Sequence, residues 1–228
     1  FPTRRSSDLI PIAVYAFNNK EKLTQSEQNK LLKWFYLAHM RGHFGMGSSE
    51  TILDLDLSTL FRTNNLDELL SKLESHVKKF VVDSDDITNK GTNSPFFSML
   101  YFIARQNGTK DWWSGLLLSE KHLGTAHSIQ YHHIFPKSLL QNESYDRREI
   151  NEIANLAFIG GKTNRSITNK EPKVYLEEII KSNGMEPLSL QFIPSDKSLW
   201  ELSQYRKFLE YRRNKIAEEI NQFINNLT

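Results

Sequence analysis

Along most of the chain apolar residues recur every three to four positions, the period of amphipathic helices. Thr24 and Glu27 form a capping box, and Leu31, Leu32, Phe35, Leu37 and Ala38 follow it until Gly42 ends the run. Residues 42–49 (GHFGMGSS) predict a loop, and Ser49-Glu50 opens a second apolar-periodic stretch. Residues 66–82 predict another amphipathic helix, and residues 95–105 (PFFSMLYFIAR) a buried one. Near the end, Tyr205, Phe208, Leu209, Ile216, Ile220, Phe223, Ile224 and Leu227 share one stripe of a long helix. Its other face carries Arg206, Lys207, Arg212, Arg213 and Lys215, read as solvated charge, with phosphate contact as the functional alternative. Residues 83–94, rich in Asp, Asn, Thr and Gly, predict a polar linker and a subdomain boundary.

The period shortens between residues 128 and 173. Residues 128–131 (SIQY) are β-compatible and run into His132-His133-Ile134-Phe135-Pro136, where proline ends the strand because its nitrogen cannot donate. Neighbouring residues of a strand point to opposite faces, so the two imidazoles part. A polar connection, residues 141–149, leads to a second apolar strand ending near Ile159. Gly160-Gly161 predicts a turn, and residues 163–170 begin a helix that must stop before Pro172. Strand, loop, strand, helix is the order of a ββα-metal finger. The fold expected is α+β and mostly α-helical, with that finger embedded among helices.

Composition narrows the setting. The 228 residues suffice for one large domain or two small ones, and the formal charge of +2 confines any nucleic-acid affinity to a local patch. No cysteine is present, which excludes disulfides and thiol chemistry and favours the cytoplasm. No apolar run is long enough for a membrane span, and no signal peptide is visible. The first nine residues, FPTRRSSDL, match the translation of a common sequencing-library adapter; the alternative is a short disordered basic arm. Under the adapter reading the natural protein begins upstream.

His132-His133-Ile134-Phe135-Pro136, then Asn155-Leu156, then Asn164-Arg165, resembles the HNH endonuclease motif. More closely, HHIFPKSLL, INEIANLAFI and TNRSITNKEP resemble the C-terminal nuclease half of GmrSD-type restriction endonucleases. LLKWFYLAHMRGHFG is similar to the helical region joining that half to the family's N-terminal nucleotide-using domain. The resemblance implies three regions: residues 1–9 as artefact or arm, 10–94 as the helical tail of a missing N-terminal domain, and 95–228 as an HNH nuclease domain. It also implies His132 and Asn164 as metal ligands, His133 as the general base, and Asn155 as a brace of the catalytic loop. Cleavage would leave a 5′-phosphate and a 3′-hydroxyl. Where many HNH sites carry Asp this chain has His132, a softer ligand.

The residue types suit that chemistry. A neutral histidine can take a proton from water near neutral pH, and a divalent metal, Mg²⁺ or Mn²⁺, tolerates few protein ligands. Arg165, Lys170, Lys162 and Lys173 are the expected phosphate contacts. The expectation is a metal-dependent DNA endonuclease of a restriction or anti-phage system. The alternative is a nucleic-acid-binding or partner-docking module that keeps the finger as scaffold. His39 and His43 stand four apart, but Met40 occupies the place where a zinc protease needs Glu, so the pair reads as favouring a helix C-terminus. His76, His122 and His127 have no partner legible in sequence.

Overall fold

The computed structural model describes residues 6–19, 22–77, 79–118 and 129–227. Two compact units result, one of residues 1–82 with 221–228 and the other of residues 83–220. The division falls at the start of the polar stretch 83–94. No helix among the described residues is long and apolar enough to cross a membrane.

The first unit is helical: α1 (Ile10–Asn18), α2 (Gln25–Arg41), α3 (Ser49–Thr63) and α4 (Leu66–Val77). The capping box forms as expected, with Thr24 N donating to Glu27 at 2.8 Å and Glu27 N to Thr24 Oγ1 at 3.3 Å. Gly42 ends α2 in the left-handed conformation, φ 63°, which glycine adopts without steric cost. Leu31, Trp34, Leu37 and Ala38 of α2 and Leu66, Leu69 and Leu73 of α4 are buried where the two helices pack. The helix expected over residues 66–82 stops at Val77. Further on, Val82 exchanges two 2.8 Å hydrogen bonds with the Asn221 side chain. Residues 6–9 form a 3-10 turn whose Asp8 is buried against His39 at 2.7 Å. His43 lies beyond α2 in a 3-10 turn with its ring on Asp56, which corrects the helix-terminus reading of this residue.

In the second unit the supposed linker is ordered. Asp83 and Asp86 make a capping box for α5 (Ser84–Ile87), and α6 (Pro95–Gln106) follows. Strand β1 (Ile129–His133) pairs antiparallel with β2 (Leu156–Gly160), placing His133 opposite Leu156 and His132 opposite Ala157. The long connection carries α7 (Lys137–Asn142) and α8 (Arg147–Ile150). Helix α9 (Gly161–Ile167) starts directly at the end of β2, and α10 (Pro172–Asn183), α11 (Glu186–Ser189) and α12 (Tyr205–Asn225) complete the set.

Two side chains secure β2 from outside the sheet. Gln191 accepts from Phe158 N at 2.6 Å and donates to Phe158 O at 2.8 Å, taking the place of a third strand on the free edge. Arg212 of α12, 1% exposed, donates to the carbonyls of Ala154, Leu156 and Gln191. The solvated reading of the basic helix face is therefore wrong for Arg212: burial brings its guanidinium pKa down to about 9, and backbone carbonyls take the place of water. Arg206 pairs with Glu149 at 2.9 Å and Arg213 with the buried Glu152 at 2.6 Å.

Candidate active site

Strand alternation sends Tyr131 and His133 to one face of the hairpin and Gln130 and His132 to the other. On the first face His133 lines a cavity of about 870 Å³, together with Tyr131, Lys137, Arg147, Asn151 and Leu156. His133 Nε2 meets Asn151 Oδ1 at 3.2 Å. Burial, with Lys137 repelling a second positive charge, pushes the imidazole down to about 4 against a partial rise from Asn151, so the ring is neutral at physiological pH.

The second face is closed. His132 is 4% exposed, with the rings of Trp112 and Tyr175 edge-on at 6.1 and 5.8 Å. Its Nδ1 donates to Asn164 Oδ1 at 2.8 Å, and Asn164 Nδ2 donates to Gln130 at 2.9 Å. Burial also brings His132 down to about 4, the Asn164 bond only partly opposing it. Its Nε2 is sealed from solvent without a partner.

Whether this pair suits a divalent cation can be tested on its spacing. Adjacent ligands around an octahedral ion with bonds of about 2.0–2.1 Å stand roughly 2.8–3.0 Å apart. His132 Nδ1 and Asn164 Oδ1 stand 2.8 Å apart, a length that the Nδ1–H···O hydrogen bond by itself accounts for, so a cation could come between them only with the ring hydrogen moved to Nε2. No group of three or more His, Cys, Asp or Glu side chains is placed to hold a metal among the described residues.

Asn155 is fully buried and spans the base of the connection. It accepts from Phe135 N at 2.9 Å and donates to Phe135 O at 3.1 Å and Ile150 O at 3.0 Å, while its own carbonyl accepts from Ile134 N at 2.8 Å. The chain leaving His133 is thereby tied to the end of α8. Asp111 performs a similar task at α9, accepting from Gly160 N at 2.6 Å, Thr163 Oγ1 at 2.7 Å and Ser114 N at 2.8 Å. Burial would raise this carboxyl, but the hydrogen bonds from Ser114, Thr163 and Gly160 together hold it below the usual range. A Cβ at Gly160 would stand 3.3 Å from Asp111 Oδ2, so a larger residue would press that carboxylate a few tenths of an ångström aside.

Of the expected phosphate contacts, none lines the His133 cavity. Lys170 pairs with Glu178 at 2.8 Å and Lys173 with Glu201. Lys162 lines a separate cavity with Asp111 and Trp113, and Arg165 is exposed on α9. The cations in the His133 cavity are Lys137 and Arg147, and neither side chain has a carboxylate partner among the described residues. Sequence gave one pointer to Lys137, its place directly after the Pro136 turn; nothing singled out Arg147, Asn151 or Asp111.

With this geometry in place, the comparisons can be read. The profile of the GmrSD restriction endonuclease C-terminal domain matches residues 59–219. The chain belongs to that family. It spans the whole hairpin, α9 and both histidines, so the resemblance drawn from the short motifs extends over most of the second unit. An uncharacterised protein of Methanocaldococcus jannaschii is 20% identical over 167 residues, 72% of this chain. The chain spans 27% of that relative's length. No solved structure matches.

Proposed function

We propose that this domain hydrolyses DNA phosphodiester bonds as a metal-dependent HNH-type endonuclease, acting as the nuclease part of a longer cytoplasmic restriction or anti-phage enzyme. The carrying observation is that a neutral His133 shares one cavity with two cations, Lys137 and Arg147, that meet no carboxylate among the described residues. In that arrangement the cations hold the phosphate backbone and His133 takes the proton of an attacking water. The water oxygen bonds to phosphorus, the bond to the leaving oxygen breaks, and that oxygen is protonated from solvent. A bound phosphate also offsets the repulsion from Lys137 that lowers the basicity of His133 in the free domain.

His132 and Asn164 would hold the divalent cation, Mg²⁺ or Mn²⁺, which supplies charge neutralisation at the phosphoryl oxygens when bound. The role asks that His132 carry its hydrogen on Nε2, an atom now buried without a partner, and free Nδ1 for the cation. Asn155 braces the segment that carries the base, through its bonds to Phe135 and Ile150. The enclosure of His132 by Trp112 and Tyr175 favours a second reading, a nucleic-acid-binding module that keeps the finger as scaffold.

Plasmid nicking separates the two. With Mg²⁺ or Mn²⁺ the chain should nick supercoiled DNA, and His133→Ala should lose about 10²–10⁴-fold of that rate while staying folded. Salt-dependent DNA binding without cleavage would select the scaffold. Equal cleavage by wild type and variant would remove His133 from the chemistry.

A further inference from the structure

Asn151 caps the C-terminus of α8, and its amide is locked by a partner of one kind. Its Nδ2 donates to Arg147 O at 2.7 Å. A backbone carbonyl can only accept, so this contact fixes which end of the amide is nitrogen and turns Oδ1 toward His133 Nε2 at 3.2 Å. Oδ1 also can only accept. The ring nitrogen facing it must therefore carry the hydrogen, and in a neutral imidazole the other nitrogen is then a bare lone pair.

That other nitrogen, Nδ1, has no hydrogen-bond partner among the described residues, since the side-chain bond of His133 runs through Nε2. It is also absent from the polar atoms sealed without a partner, a group that includes His132 Nε2. A neutral ring that lines the cavity thus keeps one free acceptor reachable by water.

We propose that Asn151 is the positioning residue of the base: it selects the Nε2–H tautomer of His133, holds the ring plane, and leaves Nδ1 as the atom that takes the proton. The catalytic consequence rests on the nuclease reading; the tautomer does not.

Long-range ¹H–¹⁵N correlation spectra of the histidine-labelled chain at neutral pH read the tautomer directly. Wild type should show His133 as Nε2–H with a slowly exchanging proton. Asn151→Ala should lose that protected signal, and kcat should fall about 10–10²-fold with KM within about twofold. Asn151→Asp keeps an acceptor against the ring but adds a counter-charge that favours the imidazolium, so it should recover the protected Nε2–H signal without recovering kcat at neutral pH. An Nδ1–H tautomer in wild type, or an Asp variant that lacks the Nε2–H signal as Ala does, would overturn the proposal. Should the wild-type chain fail to cleave at all, the nuclease reading falls, while the spectra still decide whether Asn151 sets the ring.

Discussion

Each compact unit holds a pair of histidines, and the two pairs differ in what they lean on. In the first unit His76 Nδ1 lies 2.9 Å from His43 Nδ1, and His43 Nε2 lies 2.8 Å from Asp56. His43 and Asp56 are 3% and 2% exposed, and the edge of Trp34 packs on the His43 ring at 6.1 Å. That chain satisfies polar groups enclosed by helices. In the second unit, the adjacent His132 and His133 lean on amides, Asn164 and Asn151. An amide fixes a ring without bringing a counter-charge, so burial keeps both imidazoles neutral. The difference teaches that a histidine's partner, more than its burial, separates a ring that seals a core from one left able to bind or take a proton.

The largest effect should come from crossing the two pairs. His133→Ala should remove about 10²–10⁴-fold of cleavage with little change in unfolding midpoint. His43→Ala strands a buried carboxylate and should cost about 3–5 kcal/mol in urea unfolding, with cleavage per folded molecule retained. If His43→Ala abolishes cleavage in folded protein, the contrast is wrong.

Acid sharpens it next. The folded pKa of His132 is about 4 against an ordinary 6.5, so between these values the unfolded chain binds more protons. Stability is then full above pH 6.5 and declines by on the order of 3 kcal/mol as pH falls to 4. Urea titrations at stepped pH should show this slope reduced in His132→Gln.

Asn155→Ala should cost about 2–4 kcal/mol, because it leaves Phe135 N and two carbonyls unsatisfied in the core. Thermal unfolding unchanged by this substitution would deny Asn155 its bracing role.

The smallest effect concerns the cations. Lys137→Ala or Arg147→Ala should each lower the salt slope of DNA binding by about 1, since each releases about one counterion's worth of contact. Lys170→Ala and Lys173→Ala should leave it nearly unchanged, because those ammoniums already face Glu178 and Glu201. The reverse pattern would move the DNA path off the His133 cavity.

Much of the candidate site was legible because it depends on short-range rules. Proline after His-His ends the strand, alternation parts the two rings, and Gly160-Gly161 admits α9 directly, whereas the roles of His132, Asn155 and Asn164 came from resemblance to the HNH motif. The capping box at Thr24 and the apolar stripe of α12 were legible for the same reason. The residues that escaped notice act over long separations. Asp111 reaches Gly160 from 49 positions away, and Arg212 reaches Leu156 from 56.

By itself, then, the sequence determined local geometry: where helices start and stop, which strand residues share a face, and which side chains carry donors. Only the tertiary structure decided which charges remain available. Lys170, Lys173, Arg206 and Arg213 are paired with carboxylates 8 to 61 residues distant, whereas Lys137 and Arg147 beside His133 meet none among the described residues. A side chain's chemistry is written in the chain, but its neighbours and its share of water are fixed only when remote segments pack together.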